Sequence, residues 1–321
     1  MNFSSFSWIK KNGSKMPSGE WFIEFFTKGE FHCHQISSKI AHYKTEFQEA
    51  TLIKTHTFGK VLVLDGETQS SEYDEFIYHE GLVFPALYSH KKPKKALILG
   101  GGEGATARDI LKRKSIEKVV MADIDHNILD FARKHLHTWH KGSFEDERMI
   151  LLCQDAKKCV ENTKLKFDLI YSDLPSPIEG GPAFSLYTLE FYRKMKNIMQ
   201  KDAIFAMQSG PGTPLQFELH PMIFATLSKV FKYTASYSFF IPSYDMPWTY
   251  LLASDFDFKK AVLSYSFDKR IKEYFSEGPK LLDSQNIKGL FESMPFYLKE
   301  KIRKCKKPIT EKNPMFFSTS R

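Results

Sequence analysis

The apolar positions change their period along the chain. From about residue 20 to residue 66 they come in short runs broken by turn residues. Ala50–Thr57 mixes threonine with apolar side chains, and Val61-Leu-Val-Leu64 stops at the turn dipeptide Asp65-Gly66. Strands and turns are predicted there. Phe76–Tyr88 instead carries apolar residues at helical spacing. After His90-Lys-Lys-Pro93 the pattern begins to alternate. Ala96-Leu-Ile-Leu99 is a short apolar strand that runs into Gly100-Gly-Gly-Glu-Gly104, and a helix follows from Ala105 to Arg113. Further strands are predicted at Lys118–Ala122, Met149–Cys153, Phe167–Ser172, Ala203–Gln208, Ser236–Ile241 and Tyr250–Ala253. Helices are predicted near Asn127–His137, Leu189–Met199 and Phe217–Phe231.

Strand and helix in alternation predict an α/β fold: a parallel sheet with helices on both faces. Ligands of such sheets lie at the carboxyl ends of the strands. Glu103, Asp123, Asp155, Asp173 and Gln208 each fall at or just after the end of a predicted strand. They are expected to line one edge of the sheet together.

The glycines of the loop, Gly100 and Gly102 among them, allow a sharp turn and close approach to a ligand. Asp123, about 20 residues further on, stands where a carboxylate can accept both ribose hydroxyls. On these two features a dinucleotide enzyme remains open. Asp155 weighs against it, because a carboxylate at the end of the third strand suits the exocyclic amine of adenine. Asp123 and Asp155 could each instead cap the helix that follows.

The 321 residues, 42% hydrophobic, allow one large domain or a catalytic domain with a smaller companion. A net charge of +8 raises nucleic acid or a membrane surface as partners. Its distribution argues against both. Residues 256–321 hold 15 Lys/Arg against 8 Asp/Glu, so the rest of the chain is nearly neutral. The densest part, Lys299–Lys307, has no interleaved aromatics for base stacking and reads as a solvated helical face. No run approaches the roughly 18 apolar residues of a membrane span. Met1–Trp21 has no signal-peptide core, which predicts a cytoplasmic protein. Cys33, Cys153, Cys159 and Cys305 are scattered without metal spacing and are expected as reduced, structural thiols. No metal site is expected.

Several motifs together resemble a known family. Val61-Leu-Val-Leu-Asp-Gly-Glu-Thr-Gln69, Asp74-Glu-Phe-Ile-Tyr-His-Glu80, Ala96-Leu-Ile-Leu-Gly-Gly-Gly-Glu-Gly-Ala-Thr106 and Asp173-Leu-Pro-Ser-Pro177 stand in the order and spacing of the polyamine aminopropyltransferases, the spermidine-synthase family. Trp21-Phe22, Phe47-Gln48 and Ile241-Pro-Ser-Tyr244 also fit. The resemblance runs from about Trp21 to Ser254. Glu103, Glu179-Gly-Gly-Pro182 and Ile309-Thr-Glu-Lys-Asn-Pro-Met-Phe316 look more like the thermospermine-synthase-like branch.

The resemblance implies a small N-terminal β domain (1–75), a Rossmann-like methyltransferase-type catalytic domain (76–255) and a basic C-terminal extension (256–321). It implies homodimers or homotetramers and a small-molecule polyamine substrate. The donor would be decarboxylated S-adenosylmethionine, a co-substrate rather than a cofactor. Carried over by position, Gln48, Asp123, Asp155 and Ala156 would contact the methylthioadenosine part of that donor. His79 and Glu103 would lie near the aminopropyl group or the amine, and Tyr78, Gln208 and Tyr244 would border the amine channel. Asp173 matches the general base. One departure stands out: the family's second acid, three residues after the first, is here Ser176.

The chemistry fits these residue types. Methylthioadenosine leaves a sulfonium as a neutral group, so no metal or redox cofactor is needed. The acceptor amine, with a pKa of roughly 10.4, arrives protonated and must lose a proton before it attacks. Glu103 would repel the carboxylate of ordinary S-adenosylmethionine and attract the terminal ammonium of the decarboxylated donor. Two rival readings share part of the pattern. A methyltransferase would share the glycine loop, Asp123 and Asp155, but would need neither Glu103 nor the Asp65–Glu80 segment. A non-catalytic relative that binds polyamine or nucleoside draws support from Ser176 alone.

Overall fold

The computed structural model describes residues 18–181, 183–264, 267–283 and 285–317. Most of Met1–Trp21 and Pro182 of the Glu179–Pro182 motif lie outside the described residues. The turn-rich N-terminal stretch forms an antiparallel sheet of five strands in sequential order: β1 (Trp21–Thr27), β2 (Glu30–Lys44), β3 (Glu49–Thr55), β4 (Gly59–Leu64) and β5 (Glu67–Ser71). Asp65 and Gly66 join β4 to β5 with φ of 51° and 84°. Positive φ at both positions is what a two-residue hairpin turn demands, and Asp-Gly adopts it readily.

The helix Glu75–Ser89 then leads into a second sheet of seven strands: β6 (Lys95–Gly100), β7 (Lys118–Asp123), β8 (Met149–Cys153), β9 (Phe167–Asp173), β10 (Met199–Pro211), β11 (Tyr233–Ile241) and β12 (Met246–Ser254). Their order is β11-β12-β10-β9-β6-β7-β8. The pairs from β8 to β10 are parallel, as the alternating pattern predicts. β12 departs from that expectation and runs antiparallel to both β10 and β11. The connection from β11 to β12 is the tight turn Pro242–Asp245, which can reverse the chain but is too short for a crossover.

Side chains of β6 alternate between two cores. Ala96 and Ile98 join one cluster and Leu97 and Leu99 the other, all fully buried. Both faces of the sheet are therefore covered, which explains the uninterrupted apolar run. Several element ends differ from the sequence reading. The helix from Leu189 stops at Lys196, because Met199 pairs with Phe167 and opens β10. The helix near Phe217–Phe231 spans Leu219–Leu227. The helix near Asn127–His137 is two pieces, His126–His135 and His137–His140.

The C-terminal segment packs on the large sheet. Phe258, Val262, Phe275, Ile287 and Leu290 join one core, and Ile309 joins the other. In the helix Phe296–Lys304, Leu298 and Ile302 are buried, while Lys299 pairs with Glu292 and Arg303 with Glu300 at the surface. That is the geometry of a solvated basic face. All four cysteines are free. No helix among the described residues is long and apolar enough to cross a membrane.

Glu80 ties this segment to the helix Glu75–Ser89. Its buried carboxylate accepts hydrogen bonds from the backbone N–H of Lys280 (2.8 Å) and Leu281 (2.7 Å). Glu80→Ala leaves two inward-facing donors without an acceptor. Urea unfolding should report a loss of about 1–3 kcal/mol, with much of it recovered in Glu80→Gln.

Candidate active site

β6 and β9 are neighbours, and their register pairs Gly100 with Asp173. At Gly100 φ is +80°, and a Cβ there would collide with the carbonyl oxygen of Asp173, so only glycine fits. The N–H of Gly101 donates to the same carbonyl at 3.1 Å. The glycine loop and the acid are thus one rigid unit. The Asp173 side chain projects from it with both oxygens engaged. Oδ1 accepts from the Tyr78 hydroxyl at 2.8 Å, and Oδ2 from the Thr106 hydroxyl at 2.6 Å.

This unit forms one wall of a cavity of about 1050 Å³ between the two sheets. At one end lie Gln48, Gly102, Asp123, Ile124, Asp155 and Ala156. At the other lie Glu24, Tyr78, Gln208, Gln216, Tyr244 and Trp248. Ser176 lines the cavity too. Nine Asp and Glu residues line it, and among the described residues no Lys, Arg or His does. In a chain of net charge +8 this segregation of sign is the main electrostatic feature of the site. Burial pushes the carboxyls of Glu24 and Glu103 up to about 7 and that of Asp123 to about 6. Burial, and then the nearby Asp173 charge, raises the Tyr78 hydroxyl well above its ordinary value.

Behind Glu103 the charges alternate. Glu103 Oε2 is 3.8 Å from His79 Nε2, and His79 Nδ1 is 2.8 Å from Glu75. Glu75 receives Arg108 at 2.8 Å, Arg108 holds Asp109 at 3.0 Å, and Asp109 meets Lys112 at 2.9 Å. Burial alone would lower the His79 imidazole, but the Glu75 and then the Glu103 carboxylates hold it up at about 9. Burial would raise Glu75, yet His79 and Arg108 bring it down to about 2. His79 therefore faces Glu103 as a cation from behind. It is buried and does not line the cavity, unlike the residues expected beside it. The Ser70 hydroxyl also donates to Glu103, at 2.7 Å, and is itself fixed by the indole N–H of Trp139.

The other residues singled out in the sequence are distributed as follows. Asp123 accepts the N–H of Asp125 and is not a helix cap; Asp125 caps the helix His126–His135. Asp155 caps the helix Ala156–Asn162 through Oδ1 while it also lines the cavity. Gln48 holds Asp125 at 2.9 Å through its side-chain amide. The Gln208 amide spans the cavity floor. It donates to the carbonyl of Leu174 at 2.7 Å and accepts from Trp248 Nε1 at 3.2 Å. The Tyr244 hydroxyl donates to the carbonyl of Gln69. The sequence reading missed Thr106, Ser70, Glu75, Arg108 and Glu24. Thr106 was within a quoted motif, and its place in the first turn after the glycine loop was the available signal.

Among the described residues, His90, Asp168 and Asp202 bring possible metal-ligand atoms within 4.8 Å of one another. They lie at the opposite edge of the sheet, where Asp168 accepts the N–H groups of Lys94 and Lys95.

Residues 75–260 match the spermine/spermidine synthase domain, and residues 20–72 match the spermidine synthase tetramerisation domain. The chain belongs to the spermine/spermidine synthase family. Membership makes it a transferase that moves aminopropyl groups. A polyamine aminopropyltransferase of Sulfurisphaera tokodaii is 40% identical over 300 residues, 94% of this chain and 99% of the relative. One of Aeropyrum pernix is 44% identical over 236 residues, 73% of this chain and 75% of the relative. A crystal structure described as spermidine synthase in complex with the transition-state analogue AdoDATO superposes with a TM-score of 0.82. It is 28% identical and covers 90% of this chain and 97% of its own.

The alternating chain behind Glu103 holds two acids in a dry environment through one guanidinium. Arg108→Leu would remove the guanidinium that Glu75 and Asp109 share, leaving each with one cation, His79 and Lys112 respectively. Breaking a buried ion pair on one side costs about 3–5 kcal/mol, and denaturant unfolding of the variant should show that loss.

Proposed function

We propose that this chain transfers the aminopropyl group of decarboxylated S-adenosylmethionine to a polyamine acceptor, with Asp173 as general base. The observation that carries the reading is the cavity lined by nine carboxylates and, among the described residues, by no cationic side chain. Both substrates are cations, and a buried acidic cavity favours them over neutral or anionic ligands. In this reading Asp123 receives the ribose hydroxyls, Asp155 the adenine amine, and Gln48, Gly100, Gly102 and Ala156 complete the nucleoside end. Glu103 faces the donor's terminal ammonium. Tyr78, Gln208 and Tyr244 border the acceptor, and His79 acts on Glu103 from behind.

In the reaction the acceptor nitrogen gives up one proton to the Asp173 carboxylate, directly or through water. Its lone pair attacks the propyl carbon next to sulfur, the new C–N bond forms as the C–S bond breaks, and the bonding pair returns to sulfur. Methylthioadenosine leaves neutral. Tyr78 and Thr106 hold the carboxylate in one orientation throughout. No step needs a metal or a redox group. In this reading the acceptor is one of putrescine, agmatine or spermidine, Ser176 in place of a second acid takes one negative charge from the amine site, and a place in the thermospermine-synthase-like branch belongs to the same reading.

A homodimer or homotetramer is supported by the match of residues 20–72 to the tetramerisation domain. A cytoplasmic setting is supported by the four free cysteines. The division at residue 75 is supported by the two family matches, which meet between residues 72 and 75, and the second match ends at residue 260, close to the division at 255.

The deciding assay mixes the purified protein with decarboxylated donor and each amine, and identifies products by mass spectrometry. Methyl transfer from S-adenosylmethionine, with no aminopropyl product, would overturn the reading. Asp173→Asn keeps the shape but cannot accept the proton, so kcat should fall roughly 100- to 10,000-fold while methylthioadenosine still binds.

Glu103 gives a pH signature. In the empty site its carboxyl takes up a proton as pH falls through about 7. An ammonium needs the ionised form, so binding at lower pH must expel that proton. The donor's affinity relative to methylthioadenosine, which lacks the ammonium, should rise about tenfold per pH unit below 7 and level off above it. Calorimetry between pH 5.5 and 8.5 measures this, and Glu103→Gln should flatten the curve. A ratio independent of pH in the unaltered protein would remove Glu103 from donor recognition.

A further inference from the structure

The last described stretch of the chain, Ile309–Phe317, crosses the mouth of the site. Ile309 is fully buried and locked between two helices. Its N–H donates to Thr226 at 2.8 Å, and its carbonyl accepts from Leu189 at 2.9 Å. Beyond it Glu311 pairs with Lys157 at 3.3 Å, in the helix that begins at Ala156 beside Asp155. The chain then turns at Thr310–Asn313 and reaches the other side of the same cavity end. There the N–H of Phe317 donates to the carbonyl of Pro177 at 2.6 Å, four residues after Asp173. The Phe316 ring packs on Phe184 with centroids 5.8 Å apart. Phe316 and Phe317 both line the cavity, next to Ile178, Gly180 and Gly181.

An irregular segment is costly to order unless its contacts repay the lost chain entropy. This tail is ordered across a gap and bonds to both sides of one cavity end. It leaves two aromatic rings half-buried against the open space. Flat apolar faces of that kind suit a planar base. The loop it holds, from Leu174 to Ala183, contains two glycines and follows directly on the candidate base.

We propose that Ile309–Phe317 is a working part of the nucleoside subsite. Phe316 and Phe317 form the outer wall against the purine, and the Phe317 N–H fixes the loop that follows Asp173. The tail supplies positioning residues: it binds the nucleoside half of the donor and steadies the loop, and it takes no part in the proton transfer. This inference rests on the donor reading above.

The test compares the full chain with two variants, the double substitution Phe316→Ala/Phe317→Ala and a chain ending at Asn313. Calorimetry with methylthioadenosine, ligand-free melting and steady-state kinetics are measured on each. The expected result is a Kd for methylthioadenosine weakened roughly 10-fold or more in both variants. KM for the donor should rise in step, KM for the acceptor should stay unchanged, and ligand-free melting should fall only slightly, by what the lost half-buried contacts of Met315 and Phe317 cost. Unchanged Kd in the variants would overturn the inference. So would a weaker Kd matched by an equal fall in ligand-free melting, since the tail would then only support the fold. Failure of the unaltered protein to bind methylthioadenosine would remove the donor reading, and the inference with it.

Discussion

The structure is organised around the cost of gathering negative charge where water is scarce. A carboxylate in a poorly hydrated site is unfavourable unless a cation or hydrogen-bond donors stabilise it. Here nine carboxylates share one cavity, and no cationic side chain enters it among the described residues. The site meets the cost in two ways. Burial brings Glu24, Glu103 and Asp123 near neutrality, so part of the charge is absent while the cavity is empty. Fixed donors stabilise two more, Asp173 through two hydroxyls and Asp155 through two backbone N–H groups, while Glu46, Asp65 and Glu179 are exposed to solvent. A cationic ligand supplies the missing partner and draws out the charge that recognises it.

The cations that the cavity excludes stand immediately behind its wall. From Glu103 through His79, Glu75, Arg108 and Asp109 to Lys112, sign alternates at every step, and no contact exceeds 3.8 Å. Placing His79 behind Glu103 stabilises the ionised acid without putting a competing positive charge in the ligand's path. Its Nε2 reaches Glu103 only while Nδ1 is held by Glu75, so the orientation of the ring depends on the next charge in line. The helix Ala105–Leu111 supplies Arg108 and Asp109 to this chain, and all of its side chains are buried. It starts at the glycine loop, which also presents Glu103.

Much of this could be read in the sequence. The strand ends bearing Asp123 and Asp173, and the glycine loop between them in space, follow from an apolar run that stops at a polar residue, a local signal. Long-range pairing was not legible. β5, with the sequence Glu-Thr-Gln-Ser-Ser, has no apolar run and is a strand only because β4 pairs with it. Gln208 was expected at the end of its strand but lies inside β10, which continues to Pro211 past Gly210 at φ +82°. Arg108 and Asp109 have the composition of an exposed helical face, and only the arrival of Glu75 from another helix makes them a buried network. Phe316 and Phe317 sit over 130 residues from the loop they touch, at Phe184 and Pro177.

The N-terminal sheet shows why the two matched regions cannot be assigned separate tasks. Its match is to a domain described by assembly, yet its strands supply Glu24, Glu67 and Gln69 to the cavity and its β2–β3 connection supplies Gln48. The sheets are fixed to each other by hydrogen bonds that avoid long flexible side chains where possible. Gln216 donates to the carbonyl of Phe26 at 2.7 Å, Tyr244 donates to that of Gln69, and the N–H of Ser243 donates to Asp74 at 2.6 Å. Backbone partners leave little freedom, so the position of β1 relative to β9 is set to within the tolerance of a hydrogen bond. Glu24, held by the N–H of Thr68 at 3.1 Å, is thereby placed at the amine end as firmly as Asp173 is placed by Gly100. With serine at 176, Glu24 from the small sheet and Asp173 from β9 line one cavity, so the shape of that cavity depends on how the sheets dock, a property that neither sheet has alone.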